Sequence, residues 1–227
     1  MPGAVILGSS GGIGGALVHC LSETRPDLTI AGLHRNSTPR LDVCDEASIE
    51  EAARHCAALG PIGLVVNATG ILAPEAAGPE KSWRTIDPAH MAKVFQVNAI
   101  GPALVIKHFL PLFLREGRCV YANLSARVGS IGDNHLGGWY SYRASKAALN
   151  QIVRTASVEL RRKNSEAVCV ALHPGTVATN LSGGFQATGL EVQDPATAAG
   201  RILKVIETLQ PDQSGGFFDH HGKGIPW

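Results

Sequence analysis

Aromatic side chains are scarce, at 5% of 227 residues, so the chain has little with which to stack on unpaired bases. Charge of one sign is equally lacking. Twenty Lys and Arg stand against 19 Asp and Glu, a formal net charge of +1, which supplies neither a basic field for nucleic acid nor an acidic tail. No apolar run is long enough to span a membrane, and the run near the N-terminus is too short for a secretory core and has no basic residue before it. Five cysteines, an odd number without CxxC spacing, argue against disulfides and thiolate metal sites. His173, His220 and His221 form no HxxxH or HxH pattern, so no metal is expected. Nothing repeats at a fixed period. These absences leave a cytoplasmic protein without nucleic-acid or membrane partners, whose function resides in a local site.

Glycine is abundant, at 26 residues, as in α/β enzymes with many tight turns. Short apolar runs bounded by turn residues recur at 4–8, 28–33, 62–68, 118–124, 167–173 and 216–219 and read as buried strands. Helical spacing fills most of the intervals, in GIGGALVHCLSE, EASIEEAARHCAAL, PAHMAKVFQVNAIGPALVIKHFLPLFL, YSYRASKAALNQIVRTASVELRR and PATAAGRILKVIETL. Strand and helix in alternation predict an α/β fold with a doubly wound parallel sheet, Rossmann-type, in one domain over 1–227. Between Arg35 and Asp42 the chain is too short for a helical crossover, so the crossover helix after the second strand is expected to be missing or vestigial, leaving six main strands. The apolar segment Val94 to Leu114 is expected to pack on the sheet and contribute to a homodimer or homotetramer face.

GSSGGIG, residues 8–14, follows the first strand and opens the first helix. Glycine there lets backbone approach a pyrophosphate, and helix N-terminal amides attract anions. Gly8, Ser10, Gly12, Ile13 and Gly14 are the candidate contacts. The second strand ends at His34 and Arg35, where an NAD site commonly places an acid on the adenosine ribose. Arg35, with Arg40 as a possible partner, suits a 2′-phosphate, so NADP(H) is favoured over NAD(H).

GGWYSYRASKAALN, residues 137–150, contains two phenols and a lysine. Residues four apart share a helix face, so Tyr142, not Tyr140, stacks with Lys146. An ammonium beside a phenol is expected to lower its pKa and allow proton exchange near neutral pH.

GSSGGIG, NATG at 67–70, Asn98 in QVNAIG, Ser125 in NLSARVG, YRASK at 142–146 and HPGTVAT at 173–179 occur in the order and approximate spacing of the short-chain dehydrogenases/reductases. The resemblance covers nearly the whole chain. Through GSIGDNHLGGWYSYRASKAALN and GIPW, the chain looks closest to the sniffer-type carbonyl reductases and C-factor-like proteins. It implies that Asn67, Ala68 and Gly70 line the adenosine side, that Asp42 and Val43 touch adenine, and that Pro174, Gly175, Val177 and Thr179 contact the nicotinamide end. By the same resemblance Lys146 holds the nicotinamide ribose and Asn98 maintains a water-linked proton path. Without it, Asn67 and Asn98 read as buried amides satisfying turns and Asp42 as a cap of the following helix.

Two departures stand out. NATG replaces the more common NNAG, and Ala126 stands where the family usually carries its catalytic serine. Ser125 is the first candidate for that role, which requires a local twist after residue 124 because neighbours on a strand face opposite sides. Ser130, twelve residues before Tyr142, is the other candidate.

The expected function is NADP(H)-dependent reduction of a small aldehyde or ketone. Tyr142 would donate the proton, with Lys146, Ser125 and Asn98 beside it. The alternative is a C-factor-like signalling or regulatory protein that uses the fold as a dinucleotide-binding module. LSGGFQATGLEVQD, residues 181–194, is expected to form the lid.

Overall fold

The computed structural model describes residues 3–74, 77–179 and 192–227. Six parallel strands form the central sheet: β1 (Gly3–Leu7), β2 (Ile30–Leu33), β3 (Ile62–Asn67), β4 (Val120–Leu124), β5 (Val168–His173) and, after two short strands, β8 (Phe217–Asp219). Their order across the sheet is β2-β1-β3-β4-β5-β8. β6 (Thr176–Val177) and β7 (Val192–Gln193) pair separately.

Period-two alternation divides the sheet's side chains between two apolar layers. Ala4 and Ile6 face α1 (Gly12–Thr24) and α6 (Pro195–Thr208), packing with Leu17, Leu21 and Ile202. Val5 and Leu7 face the opposite layer. There Ile49 of α2 (Glu46–Ala58), Phe109 of α4 (Gly101–Phe109) and Leu149 of α5 (Tyr140–Lys163) complete the second core. The remaining helix, α3 (Pro88–Phe95), runs through a π turn at Gln96–Ile100 directly into α4. Pro102 falls in the first turn of α4, where a missing N–H costs least.

No helix or strand lies between β2 and α2, so the expected missing crossover is observed. The chain turns at His34, where Ser37 and Leu41 N–H groups donate to its carbonyl, and reaches α2 along the sheet edge. Asp45 caps α2 by accepting from Ser48 N. The cap expected at Asp42 is therefore three residues further on. Asp42 instead accepts from Cys44 N at 3.0 Å and pairs with Arg40 at 2.6 Å. Strand order reverses between β1 and β3, and such a reversal opens a crevice at the strands' carboxyl ends.

Candidate active site

One row of paired residues crosses the carboxyl end of the sheet: Leu33, Leu7, Asn67, Asn123, Ala171 and Phe217. Two asparagines occupy its centre. Asn67 Nδ2 donates to Asn123 Oδ1 at 2.9 Å, while Asn67 Oδ1 accepts from Thr69 N and Oγ1. The Asn67 amide thereby holds the NATG turn, as its structural reading requires.

At the glycine turn, α1 opens on Gly11 without a side-chain cap and with no acid in its first turn, which suits an anion. Gly14 lies against the Gly8 carbonyl, leaving no space for a Cβ. Gly12 faces Thr179: a Cβ at Gly12 would lie 2.8 Å from Thr179 Cγ2. The glycine turn and HPGTVAT therefore meet across the crevice. Ala68 backs onto Gly8, Val43 packs on Gly101 at the start of α4, and Ser10, like Arg35, is exposed. Ile13 is half-buried against the α1–α6 layer. Pro174 O accepts from Gln193 Nε2, Gly175 lies beside His220, and Val177 is buried in the β6–β7 pair. The close glycine backbones at 8, 12 and 14 beside the uncapped start of α1 form a glycine cradle with the character of a phosphate-binding turn.

Asn98, on the π turn, grips the loop after NATG. Its Oδ1 accepts from Ile71 N at 2.9 Å and its Nδ2 donates to Ile71 O at 2.8 Å. Nδ2 also donates to Ser145 Oγ at 3.1 Å, and Ser145 Oγ donates to Tyr142 O at 2.8 Å. Gly70 is the point of convergence, because a Cβ there would stand 3.3 Å from Asn98 Oδ1 and 3.4 Å from Lys146 Nζ. Sequence reasoning missed Ser145, although its position one turn from Tyr142 was the available signal.

Tyr142 is buried and Tyr140 half-buried. Trp139 packs edge-on against Tyr142, with ring centroids 6.2 Å apart. Lys146 Nζ donates to Leu124 O at 2.9 Å and lies 5.9 Å from the Tyr142 ring centroid. Burial pushes the Tyr142 phenol up and the Lys146 ammonium down to about 8. The expected lowering of the phenol by the ammonium is not what dominates; desolvation of both groups does.

Ser125, just past the end of β4, donates its N–H to Leu172 O at 2.7 Å and its Oγ proton to Asn150 Oδ1 at 2.7 Å. Ser130 is also buried. Its Oγ accepts from Asp133 N at 3.1 Å, and its proton has no acceptor among the described residues. The lid expected at 181–194 lies outside the described residues up to 191; Val192 and Gln193 form β7, and Asp194 caps α6. A cavity of about 730 Å³, lined in part by Pro74, Gly78, Glu80, His90 and Lys93, does not include Tyr142 or Lys146.

The parallel sheet, its strand order and the glycine turn between β1 and α1 are those of a Rossmann-like oxidoreductase fold, and sequence comparison agrees. A family model described as enoyl-(acyl carrier protein) reductase matches residues 23–208. The chain belongs to the short-chain dehydrogenase/reductase family. The C-signal protein of Myxococcus xanthus is 40% identical over 74% of this chain and 94% of that protein. A 1-hydroxy-2-glutathionyl-2-methyl-3-butene dehydrogenase of Rhodococcus is 32% identical over 88% of this chain and 84% of the relative. Among solved structures, the NADPH-bound carbonyl reductase from chicken fatty liver superposes with a TM-score of 0.83, at 27% identity, covering 100% of this chain and 99% of the other. The Sniffer carbonyl reductase of D. melanogaster gives 0.81 at 25% identity over 100% of both chains. No helix among the described residues is long and apolar enough to cross a membrane.

Proposed function

We propose that the protein reduces a small aldehyde or ketone with NADPH, as a cytoplasmic homo-oligomer. The observation that carries this reading is the convergence of Asn98, Gly70 and Lys146 beside Tyr142 at the carboxyl edge of the sheet. A bound NADPH would supply the hydride. Gly8, Gly12 and Gly14 would hold its pyrophosphate, Arg35 its 2′-phosphate, and Lys146 the nicotinamide ribose.

The protein's own part in the chemistry is proton delivery. Burial keeps the Tyr142 phenol protonated, which suits donation to the strongly basic alkoxide that forms when a carbonyl accepts hydride. The same burial opposes alcohol oxidation near neutral pH, where Tyr142 would have to act as a base. Asn98 and Ser145 fix the backbone of Tyr142 through their hydrogen-bond chain. For the hydroxyl that bonds the substrate oxygen we take Ser130 ahead of Ser125, because Ser125 Oγ is held 2.7 Å from the Asn150 amide whereas Ser130 Oγ accepts from Asp133 N and keeps its own proton to give.

The M. xanthus C-signal relative favours a second reading, a signalling or regulatory protein that binds the dinucleotide without turnover. Incubation with NADPH and a broad panel of aldehydes and ketones separates the two. Carbonyl-dependent NADPH oxidation supports the reductase, and tight binding without oxidation of any member supports the regulatory module.

A further inference from the structure

The helix that carries Tyr142 begins in an unusual way. Gly137, Gly138 and Trp139 all have left-handed backbone, with φ of 65°, 69° and 52°, and Trp139, at the N-cap position of α5, provides no side-chain cap. A 24-residue helix that starts so leaves its first amides without the usual local acceptor. The acceptor comes from 61 residues upstream. Glu80, only 5% exposed, takes hydrogen bonds from both Ser141 N and Ser141 Oγ through its carboxylate, and its backbone carbonyl accepts from Trp139 N.

We infer that Glu80 is a positioning residue for Tyr142: it caps the N-terminus of α5 from a separate loop and so fixes the phenol one residue beyond its contact at Ser141. The inference rests on the reading of Tyr142 as proton donor. A carboxylate at this end of a helix is favoured by the aligned peptide dipoles as well as by the two Ser141 donors. Burial pushes the Glu80 carboxyl up, but the hydrogen bonds from Ser141 and from Glu80's own backbone, with His90 nearby, together outweigh it and leave the group below the usual range, so it stands as a carboxylate. His90 Nε2, on α3, is 3.8 Å from Glu80 Oε1 and backs the clamp from the other side. Arg143 adds a second tie, donating to Gly138 O and Val128 O, so the start of α5 is held both to the Glu80 loop and to the loop that carries Ser130. Among the described residues, the hydrogen bonds of the Ser141–Glu80 clamp reach none of Gly8, Gly12 and Gly14. It should therefore affect proton transfer without affecting cofactor affinity.

The test compares Glu80→Ala, Glu80→Gln and Tyr142→Phe in the full chain. It measures NADPH affinity by fluorescence, kcat on a carbonyl that the wild type reduces, and amide hydrogen exchange in residues 140–146. Glu80→Ala should lower kcat about tenfold or more, since a small misplacement of a reacting group is expensive, while NADPH affinity holds within about twofold and exchange rises in the first turns of α5. Glu80→Gln should recover most of kcat, because an amide can accept from Ser141 N and donate to its Oγ. If Glu80→Ala does not fold, Glu80→Gln and Ser141→Ala carry the test: faster exchange at 140–146 in Ser141→Ala than in wild type, and slower exchange with higher kcat in Glu80→Gln than in Ser141→Ala, support the cap. Unchanged kcat and exchange in Glu80→Ala or Ser141→Ala, with turnover lost in Tyr142→Phe, overturn the role of Glu80 alone. Turnover that survives Tyr142→Phe overturns the proton-donor reading instead.

Discussion

Ser125 donates its hydroxyl proton to Asn150 Oδ1 at 2.7 Å, on α5 eight residues beyond Tyr142. Eight helical residues span about 12 Å along the axis, so this bond engages Ser125 two turns away from the phenol's own turn. Ser125→Ala should therefore cost stability, about 1–3 kcal/mol for a buried bond whose partner is left unsatisfied, with little change in kcat. Ser130→Ala should do the reverse, lowering kcat by roughly 10-fold or more with a small change in Tm. Thermal melts and steady-state kinetics on the two variants decide between the hydroxyls; equal loss of kcat in Ser125→Ala and none in Ser130→Ala would restore Ser125.

The buried Lys146 makes a prediction about pH. Its folded-state pKa is depressed to about 8 by burial, against an ordinary value of 10.5. Between those two values the unfolded chain binds the proton and the folded chain does not, so stability rises with pH across that window. Below about pH 8 the full penalty of a buried ammonium is present. Replacing Lys146 by Met should thus raise the Tm of the cofactor-free protein relative to wild type at pH 7, and the difference should shrink as pH approaches 10. Turnover should be lost at every pH. A Tm difference independent of pH would mean that the ammonium is not desolvated.

Just past β2, Arg40 is engaged by Asp42 at 2.6 Å and by Asp45 at 3.5 Å, whereas Arg35, the residue proposed to hold the 2′-phosphate, is exposed. Arg35→Ala should cut kcat/KM for NADPH by roughly 10- to 100-fold, the worth of a charge-assisted hydrogen bond, and leave the NADH value nearly unchanged. Arg40→Ala should have the smaller effect. Parallel kinetics with the two cofactors provide the check, and an unchanged NADPH preference in Arg35→Ala would remove Arg35 from the site.

The six strands and the missing crossover were legible because apolar runs and connection lengths are local properties of the chain. Helical spacing alone separates Tyr142 from Tyr140, and the structure buries the first more deeply than the second. What escaped was long-range. Ser125, just past β4, bonds through its N–H to the carbonyl of Leu172 in another strand and through its hydroxyl to Asn150, and nothing near it in the sequence announces either partner. The Asp45 cap of α2 was confused with Asp42 because both acids precede the helix and only backbone geometry distinguishes them. Glu80 sits in a loop with no motif, and its contact with Ser141 exists only once the fold brings the two segments together. The pKa order was also missed, since helix spacing predicts proximity of phenol and ammonium but not how completely both are removed from water.

The central claim is that Tyr142 delivers the proton to a carbonyl reduced by NADPH. Its most direct test is single-turnover reduction of a carbonyl that the wild type accepts, by Tyr142→Phe loaded with NADPH. The account predicts that NADPH binds with affinity within about twofold of wild type, since the lost hydroxyl leaves the glycine cradle untouched, and that the reduction rate falls by at least 100-fold, the usual range for removal of a general acid. Reduction by Tyr142→Phe at near wild-type rate would contradict it.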